Sequence, residues 1–147
     1  MPTRLVIALI TVICAFCYSF EQYATLNKKR IAYEKLARFA SVAQENLSGA
    51  FVNIGNILSD VFCFDDSTSF SPFLLLSNGF DGDTVEAIMD YTVKYSILDI
   101  DELRNTASTF SQYASRLYNE TLEECKKRLP SLLCPPLFSL IFLIIFM

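Results

Sequence analysis

The acidic side chains in the middle of the chain are the first candidates for chemistry. Ten of the sixteen Asp and Glu residues lie between residues 60 and 102, where Lys94 is the only cation. Carboxylates bind calcium, but an EF-hand loop counted from Asp81 requires a glutamate at its twelfth position, which is Thr92. Several of these acids precede predicted helices, where a carboxylate accepts hydrogen bonds from free backbone N–H groups. We therefore interpret them as helix caps and predict no metal site.

Residues that define the common catalytic classes are missing from the composition. The 147 residues include no histidine and no tryptophan, so a serine nucleophile has no imidazole base. The four glycines do not form a phosphate-binding loop. The carboxylates that could act as a hydrolytic pair stand at predicted helix starts. We predict no enzyme activity, no catalytic residues and no cofactor.

Six of the twelve Lys and Arg residues form two small clusters, Lys28-Lys29-Arg30 and Lys126-Lys127-Arg128, in a chain of formal net charge −4. A strongly basic face is missing, which argues against a nucleic-acid partner. The clusters could contact anionic lipid, but runs of this size are more often solvated surface, and we favour that interpretation.

The N-terminal residues are typical of a secretory signal peptide. Arg4 is followed by an apolar run from Leu5 to Phe16 that only Thr11 interrupts, and small or polar residues follow at Cys17 to Ser19. The run is shorter than the roughly 20 residues of a membrane-spanning helix. We predict cleavage of residues 1–19, with an uncleaved membrane anchor as the alternative.

The C-terminal tail, residues 131–147, is also apolar. Leu137 to Met147 would give about 16 Å of helix, too short to cross a bilayer, and Pro130 and Pro135-Pro136 are expected to break any longer helix. The alternatives are a signal that is replaced by a lipid anchor, a tail that packs on the core or dips into a membrane, or an incorrectly assigned coding end.

Secretion gives meaning to two further patterns. Loss of both ends would leave Cys63 and Cys125, which we predict to form a disulfide, although buried thiols are the alternative; the pairing of Cys134 stays open. Asn46-Leu47-Ser48 and Asn119-Glu120-Thr121 match the glycosylation acceptor pattern, so Asn46 and Asn119 are predicted glycosylation sites.

Apolar residues recur in steps of three and four across residues 20–130, and strand-like alternation is missing. We predict an all-α, up-down-up helical bundle with main helices at about 21–62, 83–97 and 99–128. A short helical turn is expected near 71–77, between Ser71-Pro72 and Asn78-Gly79. Asp83 and Asp99 are the predicted N-caps of the second and third main helices, each three residues before a glutamate. A kink is expected in the first main helix near Ser48-Gly49-Ala50.

These observations favour a secreted, non-catalytic helical binding or interaction protein whose partner is an unidentified protein or apolar small molecule. One alternative is a cell-surface protein anchored by its C-terminal hydrophobic end, with membrane contact through that tail. Another is an extracellular carrier of apolar ligands, with aromatic side chains lining a cavity. Those side chains are Phe51, Phe62, Phe64, Phe70, Phe73, Phe80, Phe110 and Tyr113. We favour an ordinary hydrophobic core for them.

Overall fold

The computed structural model describes residues 2–47, 54–62, 75–76, 79–97 and 99–146, and nearly all of these residues are helical. Helix α1 spans Pro2–Asn46, α2 spans Ile54–Phe62, α3 spans Gly82–Ile97 and α4 spans Ile100–Phe146. The described part of the chain contains no strand. The prediction of an all-α helical bundle is confirmed.

Two compact units divide the chain. The central unit comprises residues 28–121, and the terminal unit combines residues 1–27 with residues 122–147. Helices α1 and α4 each contribute to both units, because the unit boundaries after Asn27 and after Thr121 fall inside these two helices.

A continuous hydrophobic core fills the central unit. The predicted spacing of apolar residues in steps of three and four is confirmed where it is described. The buried residues at this spacing include Leu36, Ala40 and Ala43 of α1, Val85 and Ile88 of α3, and Leu103, Ala107 and Ala114 of α4. The largest fully buried side chains are Tyr91, Phe39, Leu36, Leu75, Ile88 and Leu103. The Phe39 ring lies 6.1 Å from Phe62, 6.1 Å from Tyr91 and 6.3 Å from Phe110, centroid to centroid. Tyr91 stacks on Phe110 at 4.2 Å. Edge-to-face and stacked contacts of this kind stabilise aromatic cores beyond simple area burial.

The segment before α3 ends in a turn that requires glycine. Residues 75–76 are helical, the Gly79 amide donates to the Leu76 carbonyl at 3.1 Å and the Phe80 amide donates to the Leu75 carbonyl at 3.4 Å. This pair of bonds, with Gly79 at φ 101°, is the Schellman motif that closes helices, and Phe80 and Leu75 are both buried beside it. The predicted helix end near Gly79 is therefore confirmed; residues 71–74 and 77–78 of the predicted turn lie outside the described residues.

One of the two predicted N-caps is correct. The Leu103 amide donates to the Asp99 carbonyl at 2.8 Å, which makes Asp99 the N-cap of α4. The prediction for Asp83 is wrong, because the Val85 amide donates to the Asp81 carbonyl at 3.0 Å and α3 begins at Gly82. Asp83 instead lies in the first turn of α3. There its negative charge interacts favourably with the positive end of the helix dipole.

The predicted helix bounds at about 21–62 differ from the structure at both ends. Helix α1 begins at Pro2, so it crosses the expected signal-peptide boundary without a break, and α2 is a separate helix. No proline lies between residues 3 and 71, so nothing in the sequence forces α1 to start later. The predicted kink at Ser48-Gly49-Ala50 lies outside the described residues, between the two helices.

The expectation that prolines end the last helix is also wrong. Helix α4 continues through Pro130, Pro135 and Pro136 to Phe146. Proline has a helical φ, so its cost inside a helix is one lost hydrogen bond and a clash with the preceding turn rather than a wrong backbone angle. The helix therefore ends 18 residues after the predicted bound at 128.

Candidate functional site

The terminal unit has an inverted surface, with its large apolar side chains on the outside. Ten exposed large hydrophobic residues lie in residues 5–23 and ten in residues 129–146, against five in the described part of the central unit. The first group is Leu5, Val6, Ile7, Leu9, Ile10, Ile13, Phe16, Tyr18, Phe20 and Tyr23. The second is Leu129, Leu133, Leu137, Phe138, Leu140, Ile141, Phe142, Ile144, Ile145 and Phe146. We call residues 5–23 the first apolar segment and residues 129–146 the second.

Each apolar segment is long enough to cross most of a bilayer as one helix. At 1.5 Å per residue the first spans about 28 Å and the second about 27 Å, close to the hydrocarbon thickness of about 30 Å. The second contains no charged residue, and the first contains only Glu21, near its end. Within the most apolar 18-residue windows of α1 and α4, 6% and 11% of the residues are buried. Among the described residues, α1 and α4 are the two helices whose length and composition would allow them to cross a membrane.

Small side chains make up much of the buried surface of the terminal unit, which also includes Leu26. Ala8 and Ser139 are each 7% exposed and Pro136 is also buried, while Ala15 and Ser19 are half-buried on the same face of α1 as Ala8. Small residues let two helices approach closely without large side chains between them. The terminal unit thus buries small residues of both apolar segments and leaves most of their large apolar side chains exposed.

Several polar side chains of the apolar segments bond to their own helix. The Thr11 hydroxyl donates to the Ile7 carbonyl at 2.9 Å, and the Ser139 hydroxyl donates to the Pro136 carbonyl at 2.8 Å. The Cys134 thiol donates to the Pro130 carbonyl at 3.3 Å. These bonds reduce the cost of placing a hydroxyl or thiol in apolar surroundings. The buried Ser19 hydroxyl has no hydrogen-bond partner.

Both basic clusters adjoin the apolar segments, on the central-unit side in sequence. Lys28-Lys29-Arg30 follows the first segment by five residues, and Lys126-Lys127-Arg128 directly precedes the second. Arg30 pairs with Glu34 at 3.4 Å and Arg128 pairs with Glu124 at 2.9 Å, both as i,i+4 pairs at the surface. Such exposed pairs contribute little to stability, so they do not explain why the cations are there.

An open groove on the central unit lies between α3 and α4. Its volume is about 520 Å³, and it is lined by Ala87, Asp90, Tyr91, Lys94, Asn105, Thr106, Thr109, Phe110 and Tyr113. Asp90 and Lys94 form a 2.8 Å ion pair, and the Arg116 guanidinium lies 5.6 Å from the centre of the Tyr113 ring. Burial raises the pKa of Tyr91, and the neighbouring Tyr95 raises it further. The groove thus presents an aromatic floor with an ion pair at its edge.

A buried polar contact joins α1 to the start of α3. The Tyr33 hydroxyl donates to Asp81 Oδ2 at 3.2 Å and lies 3.3 Å from Thr84 Oγ1. Burial raises the pKa of Tyr33, against the lowering effect of the Thr84 hydrogen bond. Sequence reasoning missed this contact, because residues 48 to 51 positions apart carry no periodic signal.

The predicted modification sites are not brought together by the described structure. Asn46 is the half-buried last residue of α1, and Asn119 is exposed within α4. Cys125 is a half-buried free thiol, and its predicted partner Cys63 lies outside the described residues, so the disulfide stays a prediction. The other described free thiols are Cys14, Cys17 and Cys134, and all four lie in the terminal unit.

Phe62, Phe80 and Phe110 of the predicted aromatic set pack into the core, whereas Tyr113 is half-buried and lines the groove. Phe62 and Phe80 lie 5.9 Å apart in edge contact, and Phe110 packs against Phe39 and Tyr91. Phe51, Phe64, Phe70 and Phe73 lie outside the described residues.

The acids considered as calcium ligands are exposed at or near helix starts. They are Asp81, Asp83, Glu86, Asp99, Asp101 and Glu102. Within the described ranges, no group of three or more His, Cys, Asp or Glu side chains is positioned to hold a metal ion.

No protein-family model, curated protein or solved structure matches the chain.

Proposed function

We propose that this chain is a membrane protein anchored by its two apolar segments, and that it carries a non-catalytic helical binding unit, residues 28–121. The observation that carries the proposal is the unbroken helix from Ile100 to Phe146, which makes the second segment 18 residues long. The eleven residues counted from Leu137 are too short to span a bilayer, whereas 18 helical residues are sufficient with modest adjustment of the bilayer.

Water is an unfavourable environment for the terminal unit. Complete burial of a large apolar side chain is worth about 1.5–3 kcal/mol, so twenty partly exposed ones would cost tens of kcal/mol in total. A lipid environment removes this cost. It also suits the three prolines of α4, because proline is more frequent in membrane helices than in soluble ones.

The central unit has the opposite character and supports the binding role. Its core is closed, and the groove between α3 and α4 offers an aromatic floor formed by Tyr91, Phe110 and Tyr113. Concave surfaces with aromatic walls and a few polar groups are typical of binding sites.

Extraction of membranes at alkaline pH tests the anchor. The full chain, with an epitope inserted after Ser67, is expressed in cells, and the membranes are washed with sodium carbonate. We expect the wild-type chain in the pellet. A variant with Ile10→Arg, Ile13→Arg, Ile141→Arg and Ile144→Arg should leave the pellet, because an arginine at the centre of a spanning helix costs about 2.5–3.5 kcal/mol.

A matched control places the same substitution on the central unit. Val93→Arg with Ile97→Arg changes two apolar residues that are 53% and 75% exposed, comparable to those in the test variant. This control should stay in the pellet. Recovery of wild-type chain from the medium, with a mass lacking about the first 19 residues, would instead support the secreted binding protein favoured by the signal-peptide pattern.

A further inference from the structure

We infer that the two basic clusters hold the central unit on the cytoplasmic side of the membrane. The inference rests on the proposed anchoring, since orientation has meaning only for a chain that crosses the bilayer. It concerns Lys28-Lys29-Arg30 and Lys126-Lys127-Arg128.

Connectivity places both clusters on the same side of the membrane. The first apolar segment precedes the central unit, and the second follows it. In the described part of the central unit, no other helix is long and apolar enough to cross. A chain that crosses at residues 5–23 and again at 129–146 therefore keeps residues 28–121, and both clusters, on one face.

Among the residues of this sequence that flank the two apolar segments, the cations are distributed unequally. Six Lys and Arg residues lie in the clusters, whereas residues 1–4, at the opposite end of the first segment, carry only Arg4. Membrane helices orient so that flanking Lys and Arg stay in the cytoplasm, and neighbouring Asp and Glu contribute little to this preference. The ion pairs of Arg30 with Glu34 and of Arg128 with Glu124 therefore do not cancel the bias.

Both basic clusters lie where the chain would leave the bilayer, next to the lipid headgroups. The second cluster ends at Arg128, one residue before the apolar segment begins. At the other crossing, Tyr18, Phe20 and Tyr23 are 58%, 73% and 49% exposed near the end of the first segment, as expected of aromatic residues at a membrane interface. The cytoplasmic leaflet carries anionic lipid, which attracts basic residues next to a membrane span.

This orientation changes the outcome of three predictions made from the sequence. Residues 1–19 would remain attached as part of α1 rather than being cleaved. Cys63 and Cys125 would stay reduced, because cytosolic thiols rarely form disulfides. Asn46 and Asn119 would carry no glycan, because acceptor sites are modified on the lumenal side of the secretory membrane.

A glycosylation and protease assay in microsomes tests the inference. The full chain receives an N-terminal extension of about 25 residues that carries one Asn-Ala-Thr acceptor, and the epitope after Ser67 is kept. We expect one glycan on the extension, none at Asn46 or Asn119, and an epitope that added protease removes. A glycan at Asn46, or an epitope protected until detergent is added, overturns the inference.

Charge variants test whether the clusters set the orientation. Replacing all six cations with glutamine, together with Pro2→Lys and Thr3→Lys, should invert the chain: the extension loses its glycan, Asn46 gains one and the epitope becomes protected. The control exchanges Lys and Arg at the same six positions, for example Lys28→Arg and Arg30→Lys, and should keep the wild-type pattern. An unchanged pattern in the glutamine variant refutes the assigned role of the clusters.

Carbonate washing of the same microsomes separates the two hypotheses. A chain that washes off the membrane contradicts the anchoring itself. A chain that resists washing but carries a glycan at Asn46 leaves the anchoring intact and overturns the orientation alone.

Discussion

The two units of this protein use apolar side chains in opposite ways, although α1 and α4 run through both. In the central unit, Leu36, Phe39 and Ala40 of α1 are completely buried, and the surface is charged. In the terminal unit, the same helix buries Ala8 and exposes Ile7 and Ile10 at 63% and 55%. A helix buries whichever face is incompatible with its surroundings, so this reversal along one helix is what the proposed anchoring predicts, with water around the central unit and lipid around the terminal unit.

Truncating one phenylalanine in each unit should give the largest contrast. Phe39→Ala removes a fully buried ring that contacts Phe62, Tyr91 and Phe110. We expect a loss of about 3–5 kcal/mol in the unfolding free energy of the central unit, because the cavity adds to the lost burial. Phe138→Ala, at a residue 70% exposed in the second apolar segment, should change that free energy by less than about 0.5 kcal/mol.

Urea unfolding of the full chain in detergent micelles, followed by circular dichroism, measures both variants. Equal losses for Phe39→Ala and Phe138→Ala would show that the two units share one core, and the comparison between them would fail.

Alkaline pH should destabilise the central unit selectively. Burial raises the pKa of Tyr33, Tyr91 and Tyr95 above the usual 10.0. These tyrosines bind their protons more tightly in the folded state, so the stability they contribute is complete below pH 10 and is lost as pH rises above it. Each tyrosine still protonated in the fold lowers stability by about 1.4 kcal/mol per pH unit above 10.

Tyrosinate absorbance near 295 nm and urea midpoints between pH 9 and 12 measure this effect. Tyr91→Phe should reduce the alkaline loss and be neutral or stabilising at pH 7, because the Tyr91 hydroxyl is buried without a hydrogen-bond partner. Tyr23→Phe, at a residue 49% exposed in the terminal unit, is the control for loss of one phenol outside the central core. An identical profile for Tyr91→Phe and wild type would contradict the assignment to Tyr91.

A pair of glycines gives the smallest expected effect and tests how far the central unit depends on backbone conformation. Gly79→Ala forces a Cβ into the left-handed region at φ 101° and should cost about 1–2 kcal/mol. Gly82→Ala begins α3 with open space around the added Cβ, and should be neutral or stabilise by up to about 1 kcal/mol. Thermal unfolding monitored by circular dichroism distinguishes the two, and equal shifts would show that the Schellman turn is not required.

Sequence periodicity predicted the central unit well because local rules decide it. The stripe that includes Leu36, Ala40 and Ala43 identified the buried face of α1, and Asp99 identified the start of α4. Asp81 was missed as a cap because Thr84 lies three residues after it, whereas Asp83 stands three residues before a glutamate, Glu86.

The terminal unit was less predictable, because the effect of proline and of exposed apolar residues on a helix depends on whether water or lipid surrounds it. In water, a helix is expected to end at prolines such as Pro130, Pro135 and Pro136. That expectation shortened the predicted second apolar segment to eleven residues, whereas α4 continues through all three prolines. The two ends were therefore interpreted separately, as a signal and as a tail. Their pairing is a tertiary contact between residues more than 100 positions apart, which single-sequence periodicity does not report.

The free thiols of the terminal unit are native labelling sites from which the depth of each apolar segment in a bilayer can be measured. Cys14 and Cys17 lie within the first apolar segment, about 4.5 Å apart along the helix axis, and Cys134 lies within the second. All three are exposed, so spin labels or fluorophores can be attached without engineering new positions. With Cys63 and Cys125 replaced by serine, labels remain only on Cys14, Cys17 and Cys134. Their accessibility to lipid-soluble and water-soluble quenchers would measure how deeply each apolar segment lies in the bilayer.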